Sequence, residues 1–191
     1  IKIIEKNTLI TDLATLKKEL KEFIGDLLID DTSKNILSLS ELLKNNIILQ
    51  SDSNDWKEAI LEIGEMLLDD GSCDKTYIDS MIKKIEEYCS YIVTNKKIAI
   101  PHSKNYNNVF KTAMGLLTLE NEVIFPENLP VKTILVFTSI DGEEHLEALA
   151  DFMDLANNHN FLPRLDEFTN IRKVKDTIKK FEFLSKIGKN E

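Results

Sequence analysis

The sequence predicts an α/β domain built as a three-layer sandwich, a mixed β-sheet with helices on both faces and an extra helix at the N-terminus. Three observations lead there. Apolar residues recur at helical spacing in several separate stretches, as in Trp56, Ile60, Ile63 and Leu67. Between those stretches lie short apolar runs, among them Ile47-Ile48-Leu49, Lys97 to Ile100 and Val131 to Thr138, which suit strands buried on both faces. The two kinds of segment also alternate along the chain, the pattern of helices layered on a sheet.

The elements follow in order. Leu13, Leu16, Leu20, Phe23, Ile24 and Leu27 predict an amphipathic helix over about residues 9–28. Asp30-Asp31-Thr32-Ser33-Lys34-Asn35 has turn chemistry and reads as a linker. Leu39 to Leu43 reads as a short helix and Ile47 to Leu49 as a strand. Ser53 is the expected cap of the helix carrying Trp56 to Leu67, and Gly71 follows its end. Tyr77, Met81, Ile85 and Tyr88 mark the next helix. Tyr91 to Thr94 and Lys97 to Ile100 read as two strands about a turn at Asn95-Lys96. Ala113 to Leu119 and Val131 to Thr138 supply two more. Helices are expected from about Glu143 to Asn157 and from Asn170 to Phe181. The chain accordingly divides into an N-terminal helix and linker over 1–35, the main domain over 36–185 and a tail over 186–191.

Composition narrows the function. The 191 residues suffice for one sizeable domain with an appendage. A formal net charge of −9 argues against direct nucleic-acid binding, which needs a basic face. No apolar run approaches a membrane span, and no signal peptide is visible. The opening Ile1-Lys2-Ile3-Ile4, without methionine, suggests an excised or processed fragment. Cys73 and Cys89 form no metal or redox motif and read as reduced thiols in a cytoplasmic protein. There is no glycine-rich phosphate loop and no zinc motif, so no metal and no cofactor is expected.

Ile98-Ala99-Ile100-Pro101-His102-Ser103 is the most informative segment. Pro101 cannot donate to a ladder, so the strand ends there and delivers His102 to its carboxyl end, where open α/β sheets build their sites. A neutral imidazole is a good nucleophile near neutral pH. His145 falls near the start of the helix after Val131 to Thr138. Asp141 is its expected cap and Glu144 completes a capping box. Exposed N–H groups at such a helix start favour an anion. Two histidines beyond two strand ends thus form a candidate pair, one accepting a phosphoryl group and the other donating a hydrogen bond to it. Each also has a plainer reading: His102 as a hydrogen-bonding loop residue, His145 as the edge of a core face in register with Leu149, Phe152 and Ala156. His159 reads as a solvated or C-capping residue, and Ser103 as either a phosphoryl contact or a local turn contact. Arg172, Lys173 and Lys175 read as a wet helix face.

Asp55-Trp56-Lys57-Glu58-Ala59-Ile60, Tyr77-Ile78-Asp79-Ser80-Met81, Tyr91-Ile92-Val93, Ile98 to His102 and Glu144-His145-Leu146-Glu147-Ala148-Leu149 carry a family resemblance. Over about residues 37–182 the chain resembles the EIIA phosphocarrier family of the sugar phosphotransferase system, of the mannitol/fructose and ascorbate type. Its wording around Tyr77 and Tyr91 looks closer to ascorbate-type proteins and to the EIIA-like C-terminal domains of BglG/MtlR-type transcriptional regulators. The resemblance implies that His102 takes a phosphoryl group from phospho-HPr and that His145 is its neighbour in the site. It implies HPr, an EIIB protein or EIIB-like domain, and upstream regulatory domains of the same chain as partners. The main expectation is a regulator domain that acts through phosphorylation, with a free-standing carrier that passes phosphate to an EIIB cysteine as the alternative. The chain departs from the mannitol-type pattern in having only lysines, and no arginine, among the basic residues of Met81 to Ile100, in Ser103 after the Pro-His pair, and in the region Asn121 to Pro130.

Overall fold

The structure is a computed structural model that describes residues 37–104, 106–158 and 160–188. The expected N-terminal helix, its linker, His159 and residues 189–191 of the tail lie outside the described residues. In chain order the elements are α1 (Leu39–Leu43), β1 (Ile47–Ser51), α2 (Trp56–Asp69), α3 (Lys75–Tyr88), β2 (Ile98–Ala99), β3 (Ala113–Phe125), β4 (Leu129–Thr138), α4 (Leu146–Asn158), α5 (Phe161–Leu165) and α6 (Ile171–Gly188).

The strands form a four-stranded mixed sheet in the order β1-β3-β4-β2. β1 runs parallel to β3, β3 and β4 form an antiparallel hairpin, and β2 runs parallel to β4. Alternation along the strands feeds two separate cores. Ile134 and Val136 of β4 and Leu117 of β3 face Ala59, Ile60 and Ile63 of α2 and Ile78, Met81 and Ile85 of α3. Leu135 and Phe137 of β4 and Met114 and Leu116 of β3 face α1, α4, α5 and α6 through Leu39, Phe152, Phe161 and Ile178. The three layers foreseen from the alternation are therefore present. Gly115 lets α2 approach the sheet, because a Cβ there would lie 2.9 Å from Ile63 Cγ1.

Several boundaries differ from expectation for local reasons. The Asp55 carboxylate caps α2 by accepting from the N–H groups of Lys57 (2.7 Å) and Glu58 (3.2 Å). Ser53 is not the cap, since its hydroxyl donates to Glu62 at 2.9 Å. Tyr91 to Thr94 is not a strand. Cys89–Tyr91 is a turn of 3₁₀ helix, and the N–H groups of Ile92 and Val93 bond back to the Cys89 carbonyl. Only an isolated bridge between Val93 and Ala99 remains of the expected pair. β3 runs six residues past Leu119, across the exposed Glu120-Asn121-Glu122, through a register shift between Thr118 and Val123. A strand can carry such a polar interruption where it bulges outward. The hairpin turns at Pro126–Asn128, with Glu127 and Asn128 both at φ 61°.

α5, five residues long, was not foreseen. Its Pro163 falls in the first turn, where no backbone N–H is needed. α6 extends past Phe181 to Gly188. On it the buried Glu182 carboxylate accepts from the N–H and hydroxyl of Ser40, each at 2.7 Å, and so anchors α1. Arg172 and Lys173 are exposed on α6, as a wet face requires, whereas Lys175 is half-buried and donates to Asn45 Oδ1 at 3.1 Å. Both cysteines are free and buried, and burial pushes the thiols up to about 12 for Cys73 and about 11 for Cys89.

Because β2 and β4 run parallel, with Ala99 opposite Ile134, their carboxyl ends point toward the same end of the sheet. The chains carrying His102 and His145 both leave from there.

Candidate functional site

β2 is short, and its ladder with β4 consists of Ile98 opposite Thr133 and Ala99 opposite Ile134. Beyond it, the Ile100 N–H donates to the Ile92 carbonyl at 2.9 Å, and Pro101 turns the chain out. The half-buried His102 then folds back so that its Nδ1 lies 3.0 Å from the Ile100 carbonyl oxygen. A carbonyl only accepts, so Nδ1 carries the proton, and Nε2 of the neutral ring keeps its lone pair. The imidazole stacks on Phe137, with ring centroids 5.1 Å apart and planes 13° apart.

His145 stacks on the same phenyl ring, at 4.2 Å and 18°. Phe137 occupies the second-to-last position of β4 and links the two histidines. His145 is far more enclosed, at 7% exposure. Its Nδ1 is buried without a hydrogen-bond partner. Burial first, and the neighbouring His102 second, push its pKa down to about 4, with Asp141 opposing. His145 is therefore neutral at physiological pH, and the two imidazoles sense one another electrostatically.

The loop that delivers His145 is bonded within itself. Asp141 Oδ1 accepts from the N–H groups of Glu143 (2.8 Å) and Glu144 (3.0 Å). The Gly142 N–H donates to Ser139 Oγ at 2.9 Å, and the Leu146 N–H to the Glu143 carbonyl at 3.0 Å. The expected capping box is not formed, because the Glu144 carboxylate is taken by the Thr112 hydroxyl. α4 starts later than expected, at Leu146, and the His145 carbonyl accepts from Leu149 N–H at 2.9 Å. The N–H groups of Gly142, Glu143, Glu144 and Leu146 are thus already engaged, and His145 Nδ1 is the buried side-chain atom here without a partner. Gly142 has φ +79°, which favours glycine, and a Cβ on it would sit 3.2 Å from Tyr106 Oη, a tight contact with the tip of an exposed side chain.

The sequence assigned no role in the site to two further residues. Phe137 reads as a strand core residue and Tyr77 as part of an apolar helix face. Yet the Tyr77 hydroxyl donates to the Phe137 carbonyl at 2.7 Å and accepts from the Ser103 N–H at 3.3 Å. Ser103 thus makes its contact through the backbone. The departures in basic residues also have a location. Lys96 donates to the Ala156 carbonyl at 3.2 Å, and Lys97 pairs with Glu122. Both line a cleft of about 490 Å³ with Lys132 and Asp166, and Lys97 precedes β2 whereas His102 follows it. Lys97 and Lys132 are paired there with Glu122 and Asp166, and neither histidine lines the cleft. Among the described residues, no group of three or more His, Cys, Asp or Glu side chains could hold a metal ion. No helix among them is long and apolar enough to cross a membrane.

A profile of the family described as "Phosphoenolpyruvate-dependent sugar phosphotransferase system, EIIA 2" matches residues 41–181. The chain belongs to this family. The EIIA match spans α1 to α6 and contains both histidines. The chain is 26% identical over 144 residues to an ascorbate-specific PTS system EIIA component of Salmonella choleraesuis strain SC-B67, covering 74% of this chain and 92% of that protein. It is 26% identical over 136 residues to the mannitol-specific cryptic phosphotransferase enzyme IIA component of Escherichia coli K12, covering 71% and 92%. Its fold matches the enzyme IIA(Mtl) structure solved in complex with phosphorylated enzyme IIB(Mtl) from Escherichia coli, with a TM-score of 0.61, 19% identity, and coverage of 71% and 94%. The EIIA fold is thus the α/β arrangement read from the alternation of helices and strands.

Proposed function

We propose that this EIIA domain accepts a phosphoryl group from phospho-HPr on Nε2 of His102 and passes it to an EIIB cysteine, working in the cytoplasm. The observation that carries the reading is the bond between His102 Nδ1 and the Ile100 carbonyl. It leaves the Nε2 lone pair free to attack phosphorus as the bond from phosphorus to the HPr nitrogen breaks. The ring gains positive character as the new N–P bond forms, and the Ile100 carbonyl stabilises the proton kept on Nδ1. His145, neutral and stacked on the same phenyl ring, serves in this reading to donate its single ring N–H to a phosphoryl oxygen. Positioning and charge stabilisation supply the catalysis, as expected for phosphoryl transfer.

Exposed apolar side chains flank both histidines along the chain and suit a docking face. Tyr106 and Phe110 follow His102 in the chain, and Ile140 precedes His145, with exposures of 46%, 60% and 52%. Large apolar side chains exposed around a site suit a protein partner. The solved IIA(Mtl)–phospho-IIB(Mtl) complex supports EIIB as the acceptor. The curated relatives are EIIA components matched over 92% of their own length. They support the free-standing carrier better than the regulator domain that the wording around Tyr77 and Tyr91 suggests.

The test is direct. The domain is incubated with phosphoenolpyruvate, enzyme I and HPr, and the acid-labile phosphate is located by mass spectrometry. One phosphoryl group on the wild type and none on His102→Ala is expected. Labelling that persists unchanged in His102→Ala overturns the assignment.

A further inference from the structure

From Ile100 onward the segment carrying His102 has left the sheet. β2 pairs with β4 only through Ile98 and Ala99, Pro101 has no N–H to give, and the His102 ring bonds back to its own loop. None of these ties the imidazole to the end of β4, where its stacking partner Phe137 lies. Tyr77 makes that tie. It lies in the first turn of α3, 1% exposed, between the two segments. A phenol has one proton to give and lone pairs to accept with, and Tyr77 uses both: it donates to the Phe137 carbonyl at 2.7 Å and accepts from the Ser103 N–H at 3.3 Å. One oxygen thus joins the residue after His102 to the backbone of the residue stacked on its ring.

The start of α3 is itself anchored to the same loop. Asp74 caps the helix by accepting from the Tyr77 N–H at 3.2 Å. The Asp74 N–H donates to the Asn108 carbonyl at 3.1 Å, and the Asn108 side chain donates to the Asp74 carboxylate. Residues 103 and 108 are therefore both held by the first turn of one helix. Burial pushes the Tyr77 hydroxyl up to about 12, so it remains a donor at physiological pH.

We propose that Tyr77 is a positioning residue for phosphoryl transfer, its hydroxyl aiming His102 by tying Ser103 to the Phe137 carbonyl. The proposal rests on His102 being the phosphoacceptor. Tyr77 touches neither phosphorus nor the imidazole. It acts by fixing where Nε2 lies, and misplacing a reacting atom by about an ångström costs roughly a hundredfold in rate.

Tyr77→Phe keeps the ring and removes the hydroxyl. The expected result is a kcat for transfer from phospho-HPr lowered about tenfold to a hundredfold, with KM for phospho-HPr within about twofold of wild type. The Ser103 amide is expected to exchange with solvent faster. If Tyr77 only fills space, kcat and Ser103 exchange both stay at wild-type values, and the proposal is overturned. Should Tyr77→Phe melt too low to assay, replacing the Ser103 N–H by an ester oxygen removes the same bond without touching the core. Loss of kcat again supports the proposal, and unchanged kcat overturns it. A wild-type domain that takes no phosphoryl group would sink the carrier reading. A phosphorylated wild type with an unimpaired Tyr77→Phe would sink only the role of Tyr77.

Discussion

His102 and His145 leave the same end of one sheet and lie against the same phenyl ring, yet their surroundings are opposite. His102 is half open, and its Nδ1 is committed to a backbone carbonyl. His145 is 7% exposed, its Nδ1 has no partner, and its pKa is pushed down to about 4. The first arrangement suits a nucleophile that must meet another protein. The second suits a group kept neutral to donate a hydrogen bond in a dry place. Environment, not residue type, separates the two side chains.

Removing the buried member should have the largest effect short of removing His102. His145→Ala is expected to lower the rate of His102 phosphorylation by about 10²–10³-fold while leaving His102 the labelled residue, the scale of losing one stabilising donor. Stopped-flow transfer from phospho-HPr measures it. A rate within about twofold of wild type would merge the two histidines back into one functional residue and one packing residue.

The contrast also has a stability signature. The pKa of His145 is lower in the folded chain, about 4, than the ordinary 6.5. The unfolded chain therefore binds the proton first as pH falls. The contribution is intact above the ordinary value and is lost progressively as pH drops towards the folded one. The loss is of order 3 kcal/mol. Denaturant melts between pH 7.5 and 4.5 should show the wild type losing more stability than His145→Gln. Equal losses would mean that His145 is not buried neutral.

Smaller effects test the frame around the pair. Ile140→Asp places a charge on the proposed docking face at an exposed position. It should raise KM for phospho-HPr about tenfold with little change in kcat, as the loss of about 1.4 kcal/mol of apolar contact would. A change in kcat alone would show that the loop, and not docking, is affected. Gly142→Ala forces a side chain into φ +79° against Tyr106. It should cost about 1–2 kcal/mol of stability, read as a lower Tm. No cost would mean that the loop before His145 relaxes freely.

Much of this was legible in the residues. Ile98 to Pro101 combine buried apolar side chains with a residue that cannot continue a ladder, so the strand end and the delivery of His102 follow from local chemistry. His145 was legible from the Asp141-Gly142 turn after an apolar strand, although the details of the turn were not. Glu144 could not be assigned to Thr112 rather than to a capping box, because Thr112 comes from a strand start 32 residues away. Tyr91 to Thr94 misled because its β-branched residues suit a strand, yet the Ile92 and Val93 amides close on Cys89 and leave only the Val93–Ala99 bridge to β2. Tyr77 and Phe137 were hidden for a related reason. Their spacing reports burial, whereas their roles depend on a hydroxyl and a ring face that only the tertiary fold brings to His102.

The central claim is best tested by placing the phosphoryl group on a single nitrogen. The domain labelled with ¹⁵N-histidine is phosphorylated through HPr and read by ³¹P–¹⁵N correlation. The account predicts phosphorus bonded to Nε2 of His102, with Nδ1 still protonated and His145 unmodified. Phosphorus on His145, or on Nδ1 of His102, would contradict it.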